Sequence, residues 1–179
     1  MNIGNHIAGG GEHGAVYTPR ATFTNRSRSG NFARDACLSR SRTAMTDTHS
    51  IELRVRYAET DRMGVVYYAN YLVWCEVARV EFLRALGQSY AALEHQGTAL
   101  AVAEATIRYV APAKFDDLVR ITTTLTGVRS RAVTFDYLIS HAESGLRLAT
   151  AHTSLVSIDS GGRLSAIPPA FRSALAAVL

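Results

Sequence analysis

Apolar and charged residues alternate without error from Ile51 to Tyr57: Ile51, Leu53, Val55 and Tyr57 are apolar, while Glu52, Arg54 and Arg56 are charged. A period of two over such a length predicts a half-buried strand. After a glycine-containing turn the period lengthens. Tyr71, Trp74, Cys75, Ala78, Phe82, Ala85 and Leu86 fall on one helical stripe, with Glu76, Arg79, Glu81 and Arg84 off it. The pattern predicts an amphipathic helix closed by Gly87, with Glu76–Arg79 and Glu81–Arg84 paired along its outer side.

A short amphipathic segment, Ser89 to Gly97, leads into four more strand patterns. Ala101, Ala103, Ala105, Ile107 and Tyr109 alternate with polar residues, as do Val119, Ile121, Thr123 and Leu125, then Val133, Phe135, Tyr137 and Ile139. The last strand, Arg147 to Ile158, is less regular, and Phe171 to Leu179 reads as a terminal helix behind Pro168 and Pro169. Pro112, Gly127, Gly145 and Gly161-Gly162 supply the breaks. Short strands joined by tight turns pair antiparallel, and the single long helix excludes a parallel doubly wound sheet, which needs a crossover helix between successive strands. The expectation is an α+β domain over residues 49–179, an antiparallel sheet of about five strands with one face packed on the helix.

Composition changes this picture only at the N-terminus. Residues 1–48 are rich in Gly, Ser, Thr, Asn and Arg with no sustained apolar period, and are expected to be a disordered basic extension. The formal charge of +4 lies entirely there: residues 1–44 hold six arginines against Glu12 and Asp35, while acids and bases balance in the rest. A transit peptide, a nucleic-acid arm and an inert extension preceding a start at Met45 all stay open for this segment. A basic face for nucleic acid is not expected in the folded part, nor is a membrane span. Cys37 falls in the extension and Cys75 on the helical stripe, so a disulfide is not expected and a cytoplasmic setting fits. His141 and His152 lack metal-ligand spacing and read as structural; no metal or cofactor is expected.

The candidate chemistry lies in the turn between the first strand and the helix. Asp61 supplies a carboxylate, Gly64 lets backbone approach a ligand, and a helix starting near Tyr68 to Tyr71 turns unpaired N–H groups toward the same space. A carboxylate facing such donors suits attack on an acyl carbonyl, the donors holding the oxyanion that forms. The plainer alternative is an Asp61 that only fixes the turn. The string D-x-x-G-V-V-Y-Y-x-N-Y from Asp61, followed by W-x-E-x-A-R from Trp74, resembles the signature of the 4-hydroxybenzoyl-CoA thioesterase-like family of hotdog-fold acyl-CoA thioesterases. The resemblance implies a hotdog fold, hydrolysis of a small acyl- or aryl-CoA, and an acyl pocket between subunits of a dimer or a tetramer of paired dimers. It also implies that Asp61 acts as nucleophile or general base and that the Tyr68 N–H polarises the thioester carbonyl.

Related bacterial enzymes often carry a histidine seven residues after the aspartate, where this chain has Tyr68; a backbone role survives that change and a histidine side-chain role does not. Gly64, Val65 and Tyr67 are expected around the acyl group. Arg129, Ser130 and Arg131, at a strand turn, are candidates for the CoA phosphates, with a solvated turn as the ordinary reading. A hotdog dehydratase, which needs a histidine at the helix entrance, and a non-catalytic acyl-CoA or acyl-carrier binding module are the competing classes.

Overall fold

The computed structural model describes residues 48–179. The expected extension lies outside the described residues but for Thr48, which already belongs to the first strand. Five strands, β1 (Thr48–Arg54), β2 (Thr98–Tyr109), β3 (Leu118–Val128), β4 (Ala132–His141) and β5 (Arg147–Asp159), form one antiparallel sheet in the order β1-β3-β4-β5-β2. Three helices accompany it: α1 (Asn70–Ala85), α2 (Tyr90–His95) and α3 (Pro169–Ala176). None of the described helices is long and apolar enough to cross a membrane.

Alternation decides the inner face. Val119, Ile121, Thr123 and Leu125 of β3 and Val133, Phe135, Tyr137 and Ile139 of β4 are buried, as their period of two predicts. Against them α1 lays Tyr71, Trp74, Cys75, Ala78, Phe82 and Leu83, and Phe82 meets Phe135 edge-on with ring centroids 5.7 Å apart. Burying side chains such as Phe82 and Leu83 stabilises by about 1.5–3 kcal/mol each, so packing holds this helix more than surface pairs do.

Four details differ from the sequence expectation. First, β1 ends at Arg54, and Tyr57 opens a single 3₁₀ turn, Tyr57–Glu59, with its ring in solvent. Second, Ala85 is exposed and Arg79 takes a buried place on α1; Glu76 is exposed and makes no ion pair with it, whereas Glu81 and Arg84 do pair. Third, the register of β2 against β5 shifts between Val102 and Glu104. Ala103 is the extra residue of a bulge, so Leu100 and Val102 share the inner face with Ala105, Ile107 and Tyr109, and the uninterrupted alanine series does not exist. Fourth, the terminal helix starts at Pro169, a residue favoured at a first turn, two positions before Phe171.

The cover is one-sided. α1 packs on β1 and β3, while β2 lies at the sheet edge with most of its residues exposed, Val102 at 51% among them.

Candidate active site

The loop between β1 and α1 is built on Glu59. Its side chain is buried, and the carboxylate accepts from the Arg56 N–H at 2.8 Å, Arg56 Nη2 at 2.8 Å and Trp74 Nε1 at 3.1 Å. Burial pushes this carboxyl up, but the hydrogen bonds from Arg56 and Trp74 outweigh it and hold the group below its usual range, charged. The Glu59 carbonyl accepts from the Tyr67 N–H at 2.9 Å and from Asn70 Nδ2 at 2.8 Å. One residue thus ties the loop at both ends to the first turns of α1.

Between those ties Asp61 is presented. Its N–H donates to the Val65 carbonyl at 2.9 Å, its carbonyl accepts from Gly64 at 3.0 Å, and Oδ1 accepts from the Met63 N–H at 2.8 Å. Gly64 closes the turn at φ +73°, a conformation that side chains resist. Val66 then donates to the Ala113 carbonyl at 2.8 Å, anchoring the returning chain to the loop after β2.

The chain next enters α1 through Tyr68 and Ala69. Among the described residues no group accepts the N–H of Tyr68 or of Ala69, so the helix entrance keeps free donors and the positive end of its dipole. A cleft of about 330 Å³ opens here, bringing together Asp61, Val65, Tyr68, Tyr71 and Tyr109. Val110 to Pro112 form its apolar wall. Tyr109 Oη donates to the Tyr68 carbonyl at 2.9 Å, and its ring stands edge-on to Tyr71 at 5.3 Å. Burial, together with neighbouring Tyr71 and Tyr68, pushes the Tyr109 hydroxyl above its ordinary range and keeps it a donor. Tyr71 Oη accepts from the Ala113 N–H at 3.0 Å, fixing the floor.

Of the residues singled out in the sequence, Asp61, Val65 and Tyr68 line this cleft, and Gly64 shapes its turn. Tyr67 packs against Tyr68 from outside the lining, with ring centroids 4.5 Å apart and planes tilted by 50°. Arg129, Ser130 and Arg131 do not join it: their turn closes the far end of β3 and β4, whereas Asp61 lies beyond the end where Arg54 pairs with Leu118. Glu59 and Tyr109 were missed. Glu59 falls in a run of polar residues that reads as surface, and Tyr109 looks like one more member of an alternating strand; only the Val110-Ala111-Pro112 break beside it marked that end of β2 as special.

Cys75 is no nucleophile: burial pushes its thiol up to about 12, which keeps it neutral at ordinary pH. A larger hollow of about 460 Å³ lies on the sheet's outer face, where His152 Nδ1 meets Asp136 Oδ1 at 2.6 Å. Its lining holds no helix entrance and so none of the free backbone donors of the smaller cleft.

The family model of the thioesterase-like superfamily matches residues 55–175, which takes in the loop, α1 and all the strands after it. The chain belongs to the thioesterase-like superfamily. This thioesterase is 39% identical over 107 residues to the acyl-CoA thioester hydrolase YbgC of Escherichia coli O6:H1, an alignment covering 60% of this chain and 79% of that one. It is 30% identical over 129 residues to the chloroplastic acyl-acyl carrier protein thioesterase ATL3 of Arabidopsis thaliana, covering 72% and 68%. In structure the thioesterase resembles Slr0204, a 1,4-dihydroxy-2-naphthoyl-CoA thioesterase from Synechocystis, with TM-score 0.68, 30% identity, and coverage of 73% and 96%. The fold is the hotdog, and the enzyme is a thioester hydrolase.

Proposed function

We propose that the enzyme hydrolyses small acyl- or aryl-CoA thioesters to free acid and CoA in the cleft at the entrance of α1. The observation that carries this reading is the meeting of the Asp61 carboxylate with the unaccepted Tyr68 N–H in one apolar-walled cleft. The thioester carbonyl oxygen sits at the Tyr68 N–H and the helix dipole, which stabilise the negative charge of the tetrahedral intermediate. Asp61 then either takes a proton from the attacking water or attacks the carbonyl itself; CoA leaves as thiolate in both routes, and in the second, water then cleaves the acyl–aspartyl anhydride to release the acid and restore Asp61. Tyr109 acts on the donor side: its hydroxyl fixes the Tyr68–Ala69 peptide and so the angle of the entrance.

The site is completed by a second copy of the chain. Among the described residues β2 has an unpaired edge, and an exposed edge with apolar Val102, Ile107 and Tyr109 on the inner face favours pairing with another strand. Antiparallel pairing of β2 with its own copy sets the Tyr109 end of one subunit beside the Thr98 end of the other. Because Thr98 pairs with Asp159, and Ala132 with Val156, the partner's turn at Arg129, Ser130 and Arg131 lies toward that same end. Those guanidiniums are therefore assigned to CoA phosphates bound at the neighbouring subunit's cleft. Val73 and Val77, 46% and 40% exposed on the outer side of α1, suit a further contact that makes a tetramer of two dimers. A cytoplasmic location accords with a free, buried Cys75.

The purified protein should release thiol from a panel of acyl-CoAs and sediment as a dimer or tetramer at assay concentration. Release from none of them, or an active monomer, contradicts the proposal.

A further inference from the structure

The two edges of the sheet treat their charges differently. On β1, Glu52 accepts from Arg120 Nη2 at 2.6 Å, and Arg54 Nη1 donates to the Asp116 carbonyl at 2.6 Å. On β2 the outer face carries Glu104, Thr106 and Arg108, opposite Ser154, His152 and Thr150, and all three are exposed. Among the described residues neither Glu104 nor Arg108 makes an ion pair, and Asp136 on the same face is already held by His152.

The backbone of β2 alternates too. The Val110 N–H donates to the Leu148 carbonyl of β5 at 2.8 Å, so at a period of two Arg108, Thr106 and Glu104 turn their backbone groups to β5, and Ala105, Ile107 and Tyr109 turn theirs to the free edge. A second copy joining antiparallel at that edge must match the edge-facing residues with one another and the outer charged residues with one another. A slip of one position would carry outer side chains to the inner face. Among the matched registers, a two-fold axis on Glu104 or on Arg108 sets like charges directly opposite, which is destabilising, and an axis on Ala105 or Ile107 leaves both charges unanswered. An axis on Thr106 places each Glu104 opposite an Arg108, as non-hydrogen-bonded pairs with Cα atoms about 4.5 Å apart.

We propose that Glu104 and Arg108 fix the register in which two copies pair along β2, with Thr106 on the two-fold axis, and that this register carries the partner's Val102 to the cleft. The inference rests on the pairing of copies read above and adds the residue that the second copy supplies. On the inner face Ala105 then meets Ile107, small against large. Counting outward from Thr106, Tyr109 comes beside the partner's Ala103, where the bulge ends the regular ladder, and the partner's Val102 follows at the Tyr109–Val110 wall of the cleft. Val102 and Val110 are 51% and 57% exposed in the single chain, and this register brings them side by side.

Single cysteines at residues 104 to 108, placed in turn in the full-length protein carrying Cys37→Ser, test the register. A residue on the axis meets its own copy within the roughly 4.4–6.8 Å Cα range of a disulfide, whereas a residue one position off meets it at about 7–8 Å. Thr106→Cys should therefore give a covalent dimer about tenfold faster than the others. Glu104→Arg and Arg108→Glu should each raise the dimer dissociation constant by about tenfold, since each turns two attractive pairs into repulsive ones, and the double variant should restore it. Val102→Trp should raise KM for an acyl-CoA while the Thr106→Cys cross-link still forms; an unchanged KM removes Val102 from the cleft. Fastest cross-linking at another residue, or charge reversals that simply add in the double variant, overturns the register and leaves the dimer. Hydrolysis by a chain that cross-links at none of these residues rejects pairing along β2 and leaves the chemistry, whereas cross-linking at Thr106→Cys in a protein that turns over no acyl-CoA keeps the register and rejects the hydrolysis reading.

Discussion

Glu59 and Asp61 stand two residues apart in one loop and use the same functional group in opposite ways. Glu59 is buried against α1 with three donors on its carboxylate, and every one of them is protein. Asp61 lines the cleft, and among the described residues its carboxylate has one donor, the Met63 N–H. Saturation makes a carboxylate a strut, whereas incomplete coordination leaves it able to act on a ligand. A backbone tie at Glu59 and a sparsely bonded carboxylate at Asp61 together give a loop that is fixed in place while the carboxylate proposed to react keeps room for a ligand.

That contrast breaks most sharply at Asp61. Asp61→Asn keeps shape and the Met63 contact but loses the anion, so kcat should fall by about 10²–10⁴-fold, with the melting temperature nearly unmoved. Retention of more than about a tenth of kcat puts the loss below that general-base range and removes Asp61 from the chemistry. Glu59→Ala should show the reverse emphasis. It strands the buried Trp74 N–H and frees Arg56, at a cost of about 1–3 kcal/mol for each unsatisfied group, while the backbone tie from the Glu59 carbonyl to Tyr67 and Asn70 remains. Thermal or denaturant unfolding should record it before activity does.

The same residue predicts an acid dependence. Because the folded Glu59 carboxyl lies below its unfolded value, its stabilisation is present above about pH 4.3 and is lost as pH falls through the lower, folded value. Glu59→Gln should flatten the acid limb of a plot of melting temperature against pH; an unchanged limb assigns acid unfolding to other carboxylates.

Two tyrosines sharpen the comparison on the donor side. Tyr109→Phe deletes the hydroxyl that fixes the Tyr68 carbonyl, and a lost hydrogen bond of about 0.5–1.5 kcal/mol corresponds to a two- to tenfold fall in kcat with KM little changed. Tyr68→Phe should change kcat least, since the N–H assigned there remains. If Tyr68→Phe is instead the crippled variant, the phenol and not the peptide is the donor.

Regular periods made much of this legible in the sequence. Strict alternation in β1, β3 and β4 and the stripe from Tyr71 to Phe82 identified the buried faces because burial there is a property of whole elements. What escaped was decided by single contacts. Arg79 is charged, and a charge on a helix reads as surface until Tyr137 is seen above it. Glu59 resembles its polar neighbours until Trp74 reaches back across fifteen positions to donate to it. Tyr109 comes to Tyr68 from forty-one residues away, a juxtaposition no local pattern contains. Asp61, Val65 and Tyr68 meet in one cleft because they are local to one turn, whereas Arg129 to Arg131 sit at the opposite end of β3 and β4, a separation that only the strand register reveals.

The bulge at Ala103 divides β2 into two segments with separate duties. Leu100, before it, exchanges hydrogen bonds with Tyr90 Oη and belongs to the seating of α2, whereas the segment after it ends at Tyr109, which lines the cleft. A strand without an extra residue transmits any shift along its whole length, since a slip of one position reverses every side chain. Here the slack is confined to one alanine. Selection can therefore reshape the cleft-facing segment without unseating the helix that anchors the strand's start, and because Val102 and Glu104 already face the consecutive Leu155 and Ser154, deleting Ala103 should leave every other side chain of β2 on its present face.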